Sequence, residues 1–184
     1  MEISCGFARL SGRGPSGEGT STGRMRCPMT SLWDLLPPDR VFGGLRATTK
    51  PEALRQLAHR AAGILGLPEE ALLKALLRRE ALGSTAIGHG VAIPHAVLPA
   101  LERSFALFAL ATAPIPFEAV DGQPVSAIFL LLTPEACAAE NTHLLALVCR
   151  ALRDPQALAG LKRATSDAAL HEALACLFGR RQAA

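Results

Sequence analysis

Ser84 to Ala96 reads STAIGHGVAIPHA, and the reading of this stretch decides the fold. Gly83, Gly88 and Gly90 permit backbone conformations closed to residues with a Cβ, so the chain here turns sharply or lets something approach its backbone. Val91-Ala92-Ile93 is a short strand-like run. Pro94 ends it, by removing an amide donor and biasing Ile93 to an extended conformation. His95 is then expected just past a strand end, where an α/β protein places reactive groups on loops that the sheet holds rigid. On spacing alone, a hydrogen-bonded loop histidine without special chemistry is the better reading.

Three parts of the stretch and its approach carry a further signal: Glu80, then Ile87-Gly88, then Val91-Ala92-Ile93-Pro94-His95-Ala96. In that order and spacing they resemble the active-site signature of phosphotransferase-system enzyme IIA domains of the mannitol/fructose class. Gly83-Ser84-Thr85 and the Gly88-x-Gly90 pair are most similar to the nitrogen-regulatory branch. The resemblance implies that His95 accepts a phosphoryl group, through Nε2 in the family, from a histidine-containing phosphocarrier protein. It also implies the family's fold, a single α/β domain with a mixed β-sheet flanked by helices on both sides.

Arg79 lies just ahead of the stretch, at the end of a helix. By residue type it reads as a cation complementing the helix dipole. An arginine matching this position lies close to the phosphorylated histidine in mannitol-type members, and its fork of donors suits a phosphoryl group. His143 follows Glu140-Asn141-Thr142, which reads as the cap of a helix running to about Arg153. A helix start disfavours an imidazolium and attracts anions. The family has a second histidine matching this Thr-His-Leu position, facing the phosphorylated one. Together with His95, the expected site is therefore Arg79 and His143, with Ser84, Thr85, Gly88 and Gly90 as a loop that brings backbone amides to the phosphoryl group.

The chemistry asks little else of the chain. A phosphocarrier histidine attacks as a neutral imidazole, and an ordinary pKa near ~6.5 already makes that form abundant. Neutralising the phosphoryl oxygens and positioning the group supply the rest. No Walker lysine, nucleotide-type glycine loop or Mg²⁺ carboxylate cluster is evident, so the expected donor is a protein rather than ATP, with no cofactor. His89, His95 and His143 would suffice as zinc ligands, but without compact spacing, and no metal is expected.

Outward from the site, Thr48-Thr49-Lys50-Pro51-Glu52 opens a helix with Leu54, Leu57, Ala58, Ala61 and Ile64/Leu65 inside, ending near Gly66. Pro68-Glu69-Glu70 opens a second, with Leu72, Leu73, Leu76 and Leu77 buried. Val41–Leu45, Ser104–Ala111 and Val125–Thr133 read as strands, the last a central one. Ala113–Phe117 should break the second, and Asp121-Gly122-Gln123-Pro124 is a turn. Asp154-Pro155 starts a short helix, and Ser166-Asp167 caps a final one with Leu170, Ala173, Leu174 and Leu177 inside. His59 and His171 read as outward-facing.

The 184 residues suit one ordinary domain with an extension. Residues 1–29, rich in Gly, Ser, Thr and Arg, read as a disordered extension or a mis-assigned start, with a natural start at Met25 or Met29; a basic, serine-rich organellar or export leader is a further alternative. The domain should span 30–178, with 179–184 a basic tail. The formal net charge of +3 is dispersed and tyrosine is absent, which argues against a nucleic-acid binder. No apolar run reaches the ~20 residues that span a bilayer, so membrane insertion is not expected. The five scattered cysteines suggest reduced thiols in a cytoplasmic protein, with Cys149 and Cys176 as small buried hydrophobes. The expected output is nitrogen-type regulation through target proteins. A fructose- or mannitol-type relay to a IIB domain is the alternative, and a regulatory binding module in which no phosphoryl group moves onward is another.

Overall fold

Every residue of Val125–Pro134 (β6) is buried. A strand this apolar must be covered on both faces and paired on both sides, and it is. The computed structural model describes residues 31–179; the expectations for 1–29 and 180–184 lie outside the described residues. On one side β6 pairs antiparallel with Phe105–Ile115 (β5), which pairs in parallel with Val41–Leu45 (β1). On the other side it pairs in parallel with both Val91–Ala92 (β3) and His95–Leu98 (β4). Ala86–Gly88 (β2) closes a hairpin onto β3. The six-stranded sheet is therefore mixed, in the order β1-β5-β6-β3-β2 with β4 on β6.

Alternate side chains of the central strands feed two cores. Phe105, Leu107, Ile128, Leu130 and Leu132 pack with Lys50–Leu65 (α1) and Glu69–Glu80 (α2) on one face. Phe108, Phe129 and Leu131 pack on the other face with Ala138–Leu152 (α3), Pro155–Lys162 (α4) and Asp167–Gly179 (α5). The first helix starts as its sequence predicts: the Thr49 side chain accepts from the Glu52 amide, and the Glu52 carboxylate reaches back to the Thr48 amide at 2.8 Å. Gly66 closes it in the left-handed conformation at φ 66°.

Several expectations change. His95 does lie past the end of β3, but it begins a second strand, β4, instead of standing on a loop. The partner of His95 is Leu131 and that of Val91 is Ala127, so β3 and β4 share one register and form a single line beside β6. Pro94 interrupts this line because it has no amide, yet its carbonyl still accepts from the Leu131 amide at 3.0 Å. The strand β5 runs on through Pro114 to Ile115, with a register shift before its last pairing that accommodates the proline.

Leu77 is 40% exposed instead of buried. His171 is half-buried, donating to the Leu36 carbonyl at 3.0 Å and lying 4.6 Å from the Trp33 ring. Ala173 and Leu177 are only partly buried, and Phe178 completes the stripe of α5. Cys176 is exposed, Cys149 is half-buried, and Cys137 is disulfide-bonded and so not the reduced thiol expected. Among the described residues no helix is long and apolar enough to cross a membrane.

Candidate functional site

The end of α2 and the start of β4 bring two of the expected residues together. Arg79 Nε donates to His95 Nε2 at 2.9 Å, and Arg79 Nη1 donates to the Gly83 carbonyl at 3.0 Å. The other ring nitrogen, Nδ1, lies 2.9 Å from the Ile93 carbonyl. A carbonyl only accepts, so Nδ1 carries the proton and Nε2 presents its lone pair. Burial pushes His95 below its ordinary pKa of 6.5, and the Arg79 guanidinium pushes the same way; together they outweigh the Ile93 hydrogen bond and the Glu80 carboxylate, which favour the cation. The ring is thus a neutral imidazole with one defined tautomer and a lone pair on Nε2, half-buried on a strand that, among the described residues, pairs through β6 alone.

His143 is placed differently from expectation. The helix α3 begins at Ala138, after a single 3-10 turn over Glu135–Cys137, so His143 lies beyond its first turn. The dipole field has largely fallen away there. Glu140, expected in the cap, lies inside the helix and accepts from Ser104 Oγ at 2.9 Å. His143 is exposed and is not among the hydrogen-bond partners of His95. The alternation of β4 nevertheless puts both on one side of the sheet: Ala96 packs in the α1–α2 core, so His95 points to the α3 side. No group of three or more His, Cys, Asp or Glu side chains able to hold a metal forms among the described residues, so His89, His95 and His143 do not converge.

The four loop residues divide. Ser84 Oγ donates to the Phe117 carbonyl at 2.7 Å, and the Thr85 amide and hydroxyl both donate to the Glu80 carboxylate, the hydroxyl at 2.7 Å. Gly88 and Gly90 sit at the tip of the β2–β3 hairpin, with φ 89° and 77° flanking His89 at φ 55°. A run of positive φ is what a tight hairpin turn requires. A Cβ on Gly88 would stand 2.9 Å from Asp121 Oδ2, the atom that accepts from the His89 amide at 2.7 Å. This tip lies about 16 Å along the strand from His95, five residues at ~3.3 Å each. The glycines therefore fit the hairpin against Asp121; they do not bring amides to His95.

Sequence reasoning missed the partner of Glu80. Lys50 Nζ lies 3.3 Å from Glu80 and 2.8 Å from Glu118. Burial opposes its charge, but the hydrogen bonds and charges of Glu118 and Glu80 win, leaving the ammonium above its ordinary pKa of 10.5. Lys50 reads from sequence as a helix-start residue, and its separation from Glu80 gave no local signal. The available hint was Glu80 itself, an acid at a helix C-terminus, where the dipole disfavours it.

The sequence model of the family described as "Phosphoenolpyruvate-dependent sugar phosphotransferase system, EIIA 2" matches residues 34–176. The chain belongs to this enzyme IIA family. It is accordingly a phosphotransferase-system component, with the mixed sheet and flanking helices of an enzyme IIA domain. It is similar to the nitrogen regulatory protein of Bradyrhizobium diazoefficiens, 48% identical over 145 residues that cover 78% of this chain and 94% of that one. Among solved structures it is similar to nitrogen regulatory protein IIA-Ntr from Neisseria meningitidis, with TM-score 0.75 and 26% identity over 79% of this chain and 99% of that one. The mannitol IIA of Escherichia coli shares the enzyme IIA fold at TM-score 0.63 and 23% identity, over 76% of this chain and 98% of that one.

Proposed function

We propose that His95 is the phosphoryl acceptor of this enzyme IIA and that a histidine-containing phosphocarrier protein is its donor. The observation that carries this is the pair of hydrogen bonds on the His95 ring: Nδ1–H to the Ile93 carbonyl, and the Nε2 lone pair facing Arg79 Nε. In the transfer, the Nε2 lone pair attacks phosphorus while the donor's N–P bond breaks, its electron pair returning to the donor imidazole. The ring gains positive character as the Nε2–P bond forms, and the Ile93 carbonyl stabilises it through Nδ1–H. Arg79 must leave Nε2 at that moment. Its freed donors are then next to the phosphoryl oxygens, whose charge they neutralise. His143, on the same side of the sheet, is in this reading a second donor to those oxygens.

The location is the cytoplasm, and the output is regulatory, exerted by the phosphorylation state of His95 on target proteins. The similarity to proteins named nitrogen regulatory protein supports this over a relay to a sugar IIB domain. Incubation with the upstream enzyme, its carrier protein and labelled phosphoenolpyruvate should give an acid-labile label on the wild type and none on His95→Ala. A label that persists in His95→Ala overturns the assignment. Donation from the labelled protein to a IIB domain would replace regulation by relay.

A further inference from the structure

Both ring nitrogens of His95 are held, and the two holds trace back to one buried carboxylate. Glu80 has a side chain 7% exposed and stands at the last position of α2. A buried carboxylate is costly to desolvate, and at a helix C-terminus it also meets the negative end of the dipole. The chain compensates it from two directions. Lys50 of α1 supplies an ammonium at 3.3 Å, and Thr85 supplies its amide at 3.2 Å and its hydroxyl at 2.7 Å.

What this arrangement fixes is the turn between Glu80 and Thr85. With Thr85 tied back to Glu80, the Gly83 carbonyl between them stands where Arg79 Nη1 reaches it, and this orients Nε toward His95 Nε2. The Thr85 carbonyl in turn accepts from the Ile93 amide at 3.0 Å, and the Ile93 carbonyl takes the proton of His95 Nδ1. One route runs from Glu80 through Gly83 and Arg79 to Nε2, and the other through Thr85 and Ile93 to Nδ1.

We infer that Glu80, with Lys50 and Thr85, is a positioning assembly that sets the tautomer of His95 and the place of Arg79 for phosphoryl transfer. It rests on the reading of His95 as acceptor. None of the three touches the reacting atoms; they act through the backbone of Thr85, Gly83 and Ile93. The charged groups around the site are Arg79 and Glu80 from α2, Lys50 from α1 and Glu118 from the β5–β6 loop.

The test combines ¹⁵N spectra of the His95 ring with the labelling assay on the full chain, for Glu80→Gln, Thr85→Val and Thr85→Ser. The wild type should show a protonated Nδ1 and a bare Nε2. Thr85→Val should shift the ring toward mixed tautomers and slow labelling about tenfold, the equivalent of one lost positioned hydrogen bond. Thr85→Ser, which keeps the hydroxyl, should restore both. Glu80→Gln should slow labelling and shift the ring toward mixed tautomers, and it should also lower the pH at which His95 titrates, since the Glu80 charge favours the cation; the tautomer is the readout that the loss of charge alone does not move. Circular dichroism of each variant guards against unfolding. If Glu80→Gln and Thr85→Val both keep the wild-type tautomer and label within twofold of wild type, the inference is wrong. If instead the tautomer responds but the wild type itself takes no label, the positioning stands and the acceptor reading falls.

Discussion

The line formed by β3 and β4 has two ends of opposite character. At one, Gly88, His89 and Gly90 all take positive φ and fit against Asp121. At the other, His95 stands on a paired strand with no unusual backbone angle and a defined proton. The signature that reads as one dense motif separates into a hairpin end and a histidine end, with Pro94 between them. With His95 as the proposed acceptor, backbone constraint and reactivity lie close in sequence for different reasons: the hairpin tip needs glycine, and the ring needs a rigid strand and a neighbouring guanidinium.

If that division holds, substitutions at the two ends dissociate. The largest effect should come from His95→Ala, which should abolish the label while leaving the melting temperature near that of the wild type. Arg79→Lys keeps a charge but loses the fork, and should slow labelling about a hundredfold in single-turnover measurements. A rate within a few-fold of wild type would remove Arg79 from the chemistry. His143→Ala should cost at most about tenfold, one hydrogen bond to the phosphoryl group. Gly88→Ala should do the reverse of these. It forces a Cβ into Asp121 at positive φ and should lower unfolding stability by about 1–3 kcal/mol in urea melts, with the folded fraction labelling normally. Slow labelling in fully folded Gly88→Ala would merge the two ends again.

The smallest effect concerns pH. The His95 pKa is lowered in the fold, so below its ordinary 6.5 the unfolded chain binds more protons than the native one. The stability that neutral His95 contributes is present above pH 6.5 and is lost as pH falls through the lower, folded value. Urea melts across this range should show the decline, and His95→Asn should flatten it.

Much of the architecture could be read from the sequence because its signals are local. The apolar run of β6, the Thr49 cap and Gly66 stop of α1, and the Asp154-Pro155 start of α4 each contain their own reason. The strand β4 could not be read so, since HAVL after a proline gains strand character only from its pairing with β6. The start of α3 was misplaced because Cys137 caps it without a side-chain hydrogen bond, while Glu140 and Thr142 resemble a cap. At the site, the closeness of Arg79 to His95 was legible through the motif. The Glu80–Lys50 pair was not, because tertiary folding alone brings α1 beside the end of α2. The role expected of the glycines failed for a similar reason: their conformational freedom is visible in sequence, but what they approach is decided by a turn more than thirty residues later.

The position of β6 also bears on how the protein comes to fold. It joins β5 to β3 and β4, yet it follows all of them in the chain. While a nascent polypeptide emerges at roughly 5–20 residues per second, the earlier strands wait with unpaired edges, and the line that carries His95 has no neighbour on its β6 side. Only insertion of this last strand completes the sheet, so a chain truncated before Val125 should remain open to chaperones and aggregation, with no assembled site to phosphorylate.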